Sequence, residues 1–164
     1  MTSAPVVSNA SPLIALEHIG HLQLLEQLFG TVLVPPAVVC EVAPTVTLPA
    51  WIGQQGLAQP VGPRILGASL GPGESEAISL ALETRAKLVM LDDRPARRLA
   101  QALHLPVIGT LGILLAAKRR QLLIAIRPCL DALLQRDFRI ASSLYEHALG
   151  AAGEGSGTDQ SRLV

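Results

Sequence analysis

The sequence predicts an α/β fold built on a central parallel sheet of four to five strands flanked by helices, and three observations carry that expectation. Short apolar runs alternate with amphipathic stretches along the 164 residues, the order expected of repeated strand–helix–strand units. The run Lys87-Leu-Val-Met-Leu-Asp-Asp-Arg is apolar until it stops on two adjacent carboxylates, as a strand buried on both faces does. Turn formers mark the joints: Asn9-Ala-Ser-Pro, Gly30, Pro35-Pro36 and Gly71-Pro72-Gly73.

Taken in order, residues 6–8 form the first strand. Asn9-Ala-Ser-Pro turns the chain into a helix over 13–17, with Ser11 at the N-cap and Pro12 at the first helical position, where its missing N–H costs nothing. Leucines 22, 24, 25 and 28 make 21–29 an amphipathic helix ended by Gly30. Residues 31–34 are the second strand, and Pro35-Pro36 opens a helix over 37–42. Residues 44–72, rich in proline and glycine and holding Trp51, read as loop outside the core with a turn of helix near the tryptophan.

Ala77, Ile78, Ala81 and Leu82 then lay an apolar stripe along a helix over 74–83. Residues 88–91 are the third strand, 94–104 a helix and 106–109 the fourth strand, with helices over 111–121, 128–135 and 141–149. Residues 1–150 read as one domain. Beyond Gly150 the composition falls to small and polar residues, so 151–164 reads as a flexible tail.

Composition excludes whole classes. With 49% hydrophobic residues and a mean hydropathy of +0.42, the chain is not disordered, and no apolar segment reaches the ~18 residues of a membrane span. The first residues, Met-Thr-Ser-Ala-Pro, lack the basic and long apolar regions of a secretory signal. Cys40 and Cys129 show no Cys-x-x-Cys spacing and read as buried free thiols. These features point to the cytoplasm. The net charge of zero hides an asymmetry: residues 1–93 hold eight acids and three bases, residues 94–164 five acids and ten bases, and six bases with no acid lie between Arg94 and Arg120. Such a split suits an acidic pocket beside a basic rim that receives a polyanion. Arg94, Arg97 and Arg98 equally suit a solvated helix face, with Asp93 and Arg97 as an i,i+4 pair.

Parallel strands bring their C-terminal ends side by side, so Asn9, Glu41, Glu74, Glu76, Asp92 and Asp93 can meet in one cleft. Crowded carboxylates raise one another's pKa unless a cation lies among them, and hard oxygen donors select Mg²⁺ or Mn²⁺. Plainer roles compete: Glu74 and Glu76 suit the first turn of a helix through its dipole, and Asp93 suits a cap. Glu41, set among Val38, Val39, Cys40 and Val42, is harder to explain away, because a carboxylate in apolar surroundings needs a partner. So is Asp92, at the end of its strand.

Five ordered motifs closely resemble a known family: Val7-Ser-Asn-Ala-Ser-Pro-Leu-Ile-Ala-Leu, Val34-Pro-Pro-Ala-Val-Val-Cys-Glu-Val, Gly73-Glu-Ser-Glu-Ala-Ile-Ser-Leu-Ala, Leu91-Asp-Asp-Arg-Pro-Ala-Arg-Arg-Leu-Ala and Val107-Ile-Gly-Thr-Leu-Gly-Ile-Leu. The family is the PIN-like DUF3368 group of short prokaryotic proteins. The resemblance implies a PIN fold with a Mg²⁺- or Mn²⁺-dependent ribonuclease site of clustered acids, often in the toxin of a type II toxin–antitoxin pair whose small partner protein blocks the site. Glu41 matches the acid of the second motif, Glu74 or Glu76 that of the third, and Asp92 with Asp93 that of the fourth. Ser11 matches the small hydroxyl residue after the family's first aspartate, a position held here by Asn9. On this expectation Asn9, Glu41, Glu74 and Asp92 are catalytic, and Glu41, Glu74, Glu76, Asp92 and Asp93 surround the metal. Ser11, Arg94, Arg97, Arg98, Lys118, Arg119 and Arg120 then contact RNA.

Two alternatives stay open. Asn9 removes one charge from the metal site, which suits a PIN-fold module that binds nucleic acid or protein without turnover. A nucleotide- or anion-binding α/β protein is the other, although Gly-x-x-x-x-Gly-Lys-Ser/Thr and Gly-x-Gly-x-x-Gly are both absent. The apolar helices near 111–115 and 130–134 suit a homodimer as well as a buried core.

Overall fold

The computed structural model describes residues 3–59 and 61–155. Five short strands, β1 (Val6–Ser8), β2 (Val32–Val34), β3 (Ile52–Gln54), β4 (Leu88–Met90) and β5 (Val107–Ile108), form one parallel sheet in the order β3-β2-β1-β4-β5. The helices, in chain order, are α1 (Ala10–His18), α2 (Leu24–Phe29), α3 (Pro36–Val42), α4 (Val61–Leu66), α5 (Pro72–Glu83), α6 (Arg94–Ala102), α7 (Thr110–Arg119), α8 (Arg127–Gln135) and α9 (Ser142–Ala151). This is the α/β, PIN-like arrangement expected from sequence.

Strand order decides where chemistry can occur. β1 is paired with β2 on one side and β4 on the other, with Val7 opposite both Leu33 and Val89. The chain leaves β1 toward one edge of the sheet and later builds from β4 toward the other. The crevice between the carboxyl ends of β1 and β4 is therefore the switch point at which parallel sheets bind ligands. Asn9 emerges from β1 there, its N–H donating to the Met90 carbonyl at 3.0 Å, and Asp92 follows two residues after Met90.

The chain divides into two compact units, Met1–Thr110 and Leu111–Val164. In the first, Val7, Val89 and Leu91 bury one face of the sheet together with Ala77, Ile78, Leu80 and Ala81 of α5 and Ala96 and Ala100 of α6. The alanines let two helices approach closely, and the alternation Val6/Val7/Ser8 sends neighbouring side chains to opposite faces. In the second unit Ile113, Leu114, Ala117, Ile126, Leu130, Leu133, Ala148 and Leu149 are buried. Among the described residues no helix is long and apolar enough to cross a membrane.

Several local expectations change. Residues 44–72 contain an edge strand and α4, not loop alone. The strand is only Ile-Gly-Gln, too short to show a period, and Gly53 accepts Leu33 Cδ2 at 3.3 Å from where a Cβ would stand. The helix after β1 starts at Ala10 with Asn9 as N-cap, so Ser11 lies inside its first turn and does not cap it. Cys129 is buried as expected, but Cys40 is exposed. At the C-terminus α9 runs to Ala151, and Glu154 is tied down by hydrogen bonds to Ile126, Arg127 and Lys118. Of the tail expected at 151–164, residues 156–164 lie outside the described residues.

Candidate active site

Two polar groups border the switch point. The first gathers Asn9, Glu41, Gly73 and Glu74. Asn9 is 1% exposed. Its side chain makes no cap bond to α1; Nδ2 instead donates to Glu74 Oε1 at 3.3 Å, and the buried Oδ1 has no hydrogen-bond partner. Leaving a buried carbonyl oxygen unmatched costs about 1–3 kcal/mol, so this orphan asks for a partner from outside the chain.

Glu41 reaches the same place from the last turn of α3, where a negative charge opposes the helix dipole. Pro36 at N1 starts that helix and Val38 and Val42 bury its inner face, which sets the direction of Glu41. Gly73, the second residue of α5, makes the meeting possible: a Cβ there would collide with Glu41 Oε1 and lie 2.9 Å from both Asn9 Oδ1 and Glu41 Cδ. Although Glu41 as a whole residue is exposed, crowding at its carboxyl end raises its pKa. Desolvation contributes most and the charge of Glu74 next, while a hydrogen bond from the Gly73 N–H opposes them.

The second group centres on Asp92. Its Oδ1 accepts the Thr110 N–H at 2.8 Å, and its Oδ2 accepts the Thr110 hydroxyl at 2.7 Å and the Ser11 hydroxyl at 3.2 Å. Thr110 is fully buried. Beside it Arg97 donates from Nη1 to the Leu91 carbonyl at 2.9 Å. Gly109 again leaves room, since a Cβ there would lie 2.7 Å from Arg97 Nη1 and 3.0 Å from Asp92 Oδ1.

The remaining candidates have local duties. Glu76 accepts the Ala37 N–H at 2.8 Å and so satisfies the start of α3. Asp93 caps α6 by accepting the Ala96 N–H at 3.2 Å. Of the two glutamates left open by the sequence, the structure therefore brings Glu74, not Glu76, to Asn9 and Glu41. Arg94, Arg98, Arg119 and Arg120 are exposed, whereas Lys118 pairs with Glu154 at 2.7 Å. Arg97 bonds to Leu91 and forms no i,i+4 pair with Asp93. Thr110, Gly73 and Gly109 escaped the sequence reading. Their signal was a hydroxyl just past a strand and two glycines inside the motifs.

Among the described residues no three His, Cys, Asp or Glu side chains gather as a metal-holding group. The single acidic cluster expected from sequence is divided into a Glu41–Glu74 pair and a separate Asp92. The first group still fits a hard divalent ion, because Mg²⁺ keeps most of its waters and needs only one or two carboxylates. Two carboxylates close enough to disturb each other, beside a buried amide oxygen without a partner, are such a donor set.

The family model of DUF3368, described as a PIN domain, matches residues 5–154. No curated protein and no solved structure matches the chain.

Proposed function

The chain belongs to the PIN-domain family DUF3368, whose members are generally nucleases and typically use Mg²⁺ or Mn²⁺, and from that premise we propose that it is a metal-dependent endoribonuclease. The observation that carries the reading is the buried, unpartnered Oδ1 of Asn9, set against Gly73 beside Glu41. Asn9 Oδ1, Glu41 and Glu74 would hold the Mg²⁺ or Mn²⁺. When bound, that ion polarises a phosphodiester oxygen and favours ionisation of an attacking water. Asp92 already accepts three donors, so it orients the Ser11 hydroxyl and reaches substrate or ion through water. Exposed Arg94, Arg98 and Arg119 attract the RNA backbone without choosing sequence. We further read the biological role as the toxin of a toxin–antitoxin pair.

A second reading, a PIN-fold module that binds nucleic acid or a partner protein without turnover, is favoured by Asn9 itself, which brings no charge to the site and is hydrogen-bonded to Glu74. Incubating labelled single-stranded RNA with the protein, with and without Mn²⁺, separates them. Cleavage that needs Mn²⁺ and is lost in Glu41→Gln supports the nuclease. Binding without cleavage supports a nucleic-acid-binding module, and neither binding nor cleavage refutes both RNA readings and leaves only a partner-protein module.

A further inference from the structure

The three arginines of α6 share one short helix but not one environment. Arg94 and Arg98 are exposed, whereas Arg97 is partly buried and its Nη1 is fastened to the carbonyl of Leu91, the residue preceding Asp92. The guanidinium occupies space that only a glycine at 109 leaves free, next to Asp92 Oδ1. Yet Arg97 makes no ion pair among the described residues. Both oxygens of Asp92 are instead engaged by Thr110 and Ser11. A guanidinium carries five N–H donors in a rigid fork, and one is taken by Leu91. An unpaired, half-buried, tethered cation thus stands at the carboxyl ends of β4 and β5, beside Asp92.

We propose that Arg97 is the phosphate-binding residue of this site, holding a phosphodiester of single-stranded RNA beside Asp92 and Ser11, while Arg94 and Arg98 supply only long-range attraction. The proposal rests on the nuclease reading and deepens it. Tethering through Leu91 removes much of the side-chain entropy that a free arginine loses on binding. Partial burial also protects the contact from salt screening. A lysine at 97 would keep the charge but lose the fork that matches two phosphate oxygens.

The test compares Arg97→Lys with Arg136→Lys, at an exposed arginine outside the site. Anisotropy of a labelled single-stranded RNA in EDTA gives the affinity across a salt series, cleavage in Mn²⁺ gives kcat and KM, and thermal melting monitors the fold. Arg97→Lys is expected to weaken binding about tenfold at an unchanged log–log salt slope and to lower kcat, and Arg136→Lys, at an exposed position with no part in the site, to alter neither. Arg97→Met should flatten the slope by ~0.7. If Arg97→Lys fails to fold, Arg97→Gln, which retains a donor for Leu91, replaces it. A variant that melts earlier yet binds and cleaves like the wild type would reduce Arg97 to a cap on Leu91. Equal losses at 97 and 136 would also overturn the proposal. A wild-type protein that neither binds nor cleaves RNA refutes the nuclease reading, and this proposal with it.

Discussion

Gly73→Ala adds one methyl group where α5 meets Asn9 and Glu41. The new Cβ would overlap Glu41 Oε1 and press on Asn9 Oδ1 at 2.9 Å. Asn9 cannot yield readily, being 1% exposed and held through its N–H to Met90 and its Nδ2 to Glu74. Glu41 can, because it is the far end of a flexible side chain on an exposed residue. The methyl therefore expels the Glu41 carboxylate and breaks its bond to the Gly73 N–H. Overpacking costs about 1–3 kcal/mol, while alanine in place of a helical glycine returns about 1 kcal/mol. The net loss of about 0–2 kcal/mol corresponds to a melting temperature lower by several degrees at most. Metal binding should suffer more. Removing one of three oxygen donors is expected to weaken Mn²⁺ by at least about tenfold, or 1.4 kcal/mol. Calorimetric titration with Mn²⁺ alongside thermal melting measures both. Mn²⁺ affinity equal to that of the wild type would refute the placement of Glu41 at the ion.

Three other outcomes are expected. Asn9→Asp loses the donor to Glu74 and adds a third negative charge, so the metal-free protein should be destabilised by about 1–3 kcal/mol while Mn²⁺ binds more tightly; unchanged Mn²⁺ affinity would put residue 9 out of the ion's reach. Glu74→Gln should weaken Mn²⁺ binding, whereas Glu76→Gln should leave it intact and cost only about 1 kcal/mol of helix-terminus stabilisation, so the opposite pattern would exchange their roles. For Glu154, desolvation pushes the carboxyl pKa up, but the Ile126 N–H, the Lys118 ammonium and the Arg127 N–H together hold it below its ordinary 4.5. With the folded pKa depressed, its stabilisation is complete above the unfolded pKa and is lost as pH falls below about 4.5 through the folded value. The melting-temperature advantage of wild type over Glu154→Gln should therefore be full near neutrality and shrink in acid, and a gap independent of pH would contradict this account.

What the sequence revealed depended on how far each interaction reaches. β1, β2 and β4 were legible because apolar runs ending at turn formers are local signals, and their order alone brought Asn9 and Asp92 to neighbouring strand ends. β3 was not, since three residues with a central glycine carry no period and the strand exists only by pairing with β2. The crowding of Glu41 and Glu74 could be anticipated from the need of a lone carboxylate among valines for a partner. The choice between Glu74 and Glu76 could not, because it turns on the Ala37 N–H, 39 residues away. Asp93 as a cap was readable as an alternative and is what the hydrogen bonds show. Gly73 and Gly109 stayed silent because a missing side chain matters only once its neighbours are in place. The role of Glu154 is equally silent in the sequence, since composition shows small residues and not the two backbone N–H groups that one carboxylate satisfies.

Cys40 is exposed while Cys129 is buried, and Cys40 immediately precedes Glu41. Successive residues on a helix project about 100° apart, so a probe attached to this sulfur need not cover the neighbouring carboxylate, although their α-carbons are only about 3.8 Å apart. The natural chain thus offers one accessible thiol for selective chemistry, placed where a nitroxide or fluorophore would be relaxed or quenched by a paramagnetic ion at Glu41. A spectroscopic reporter for occupancy is available without engineering a cysteine.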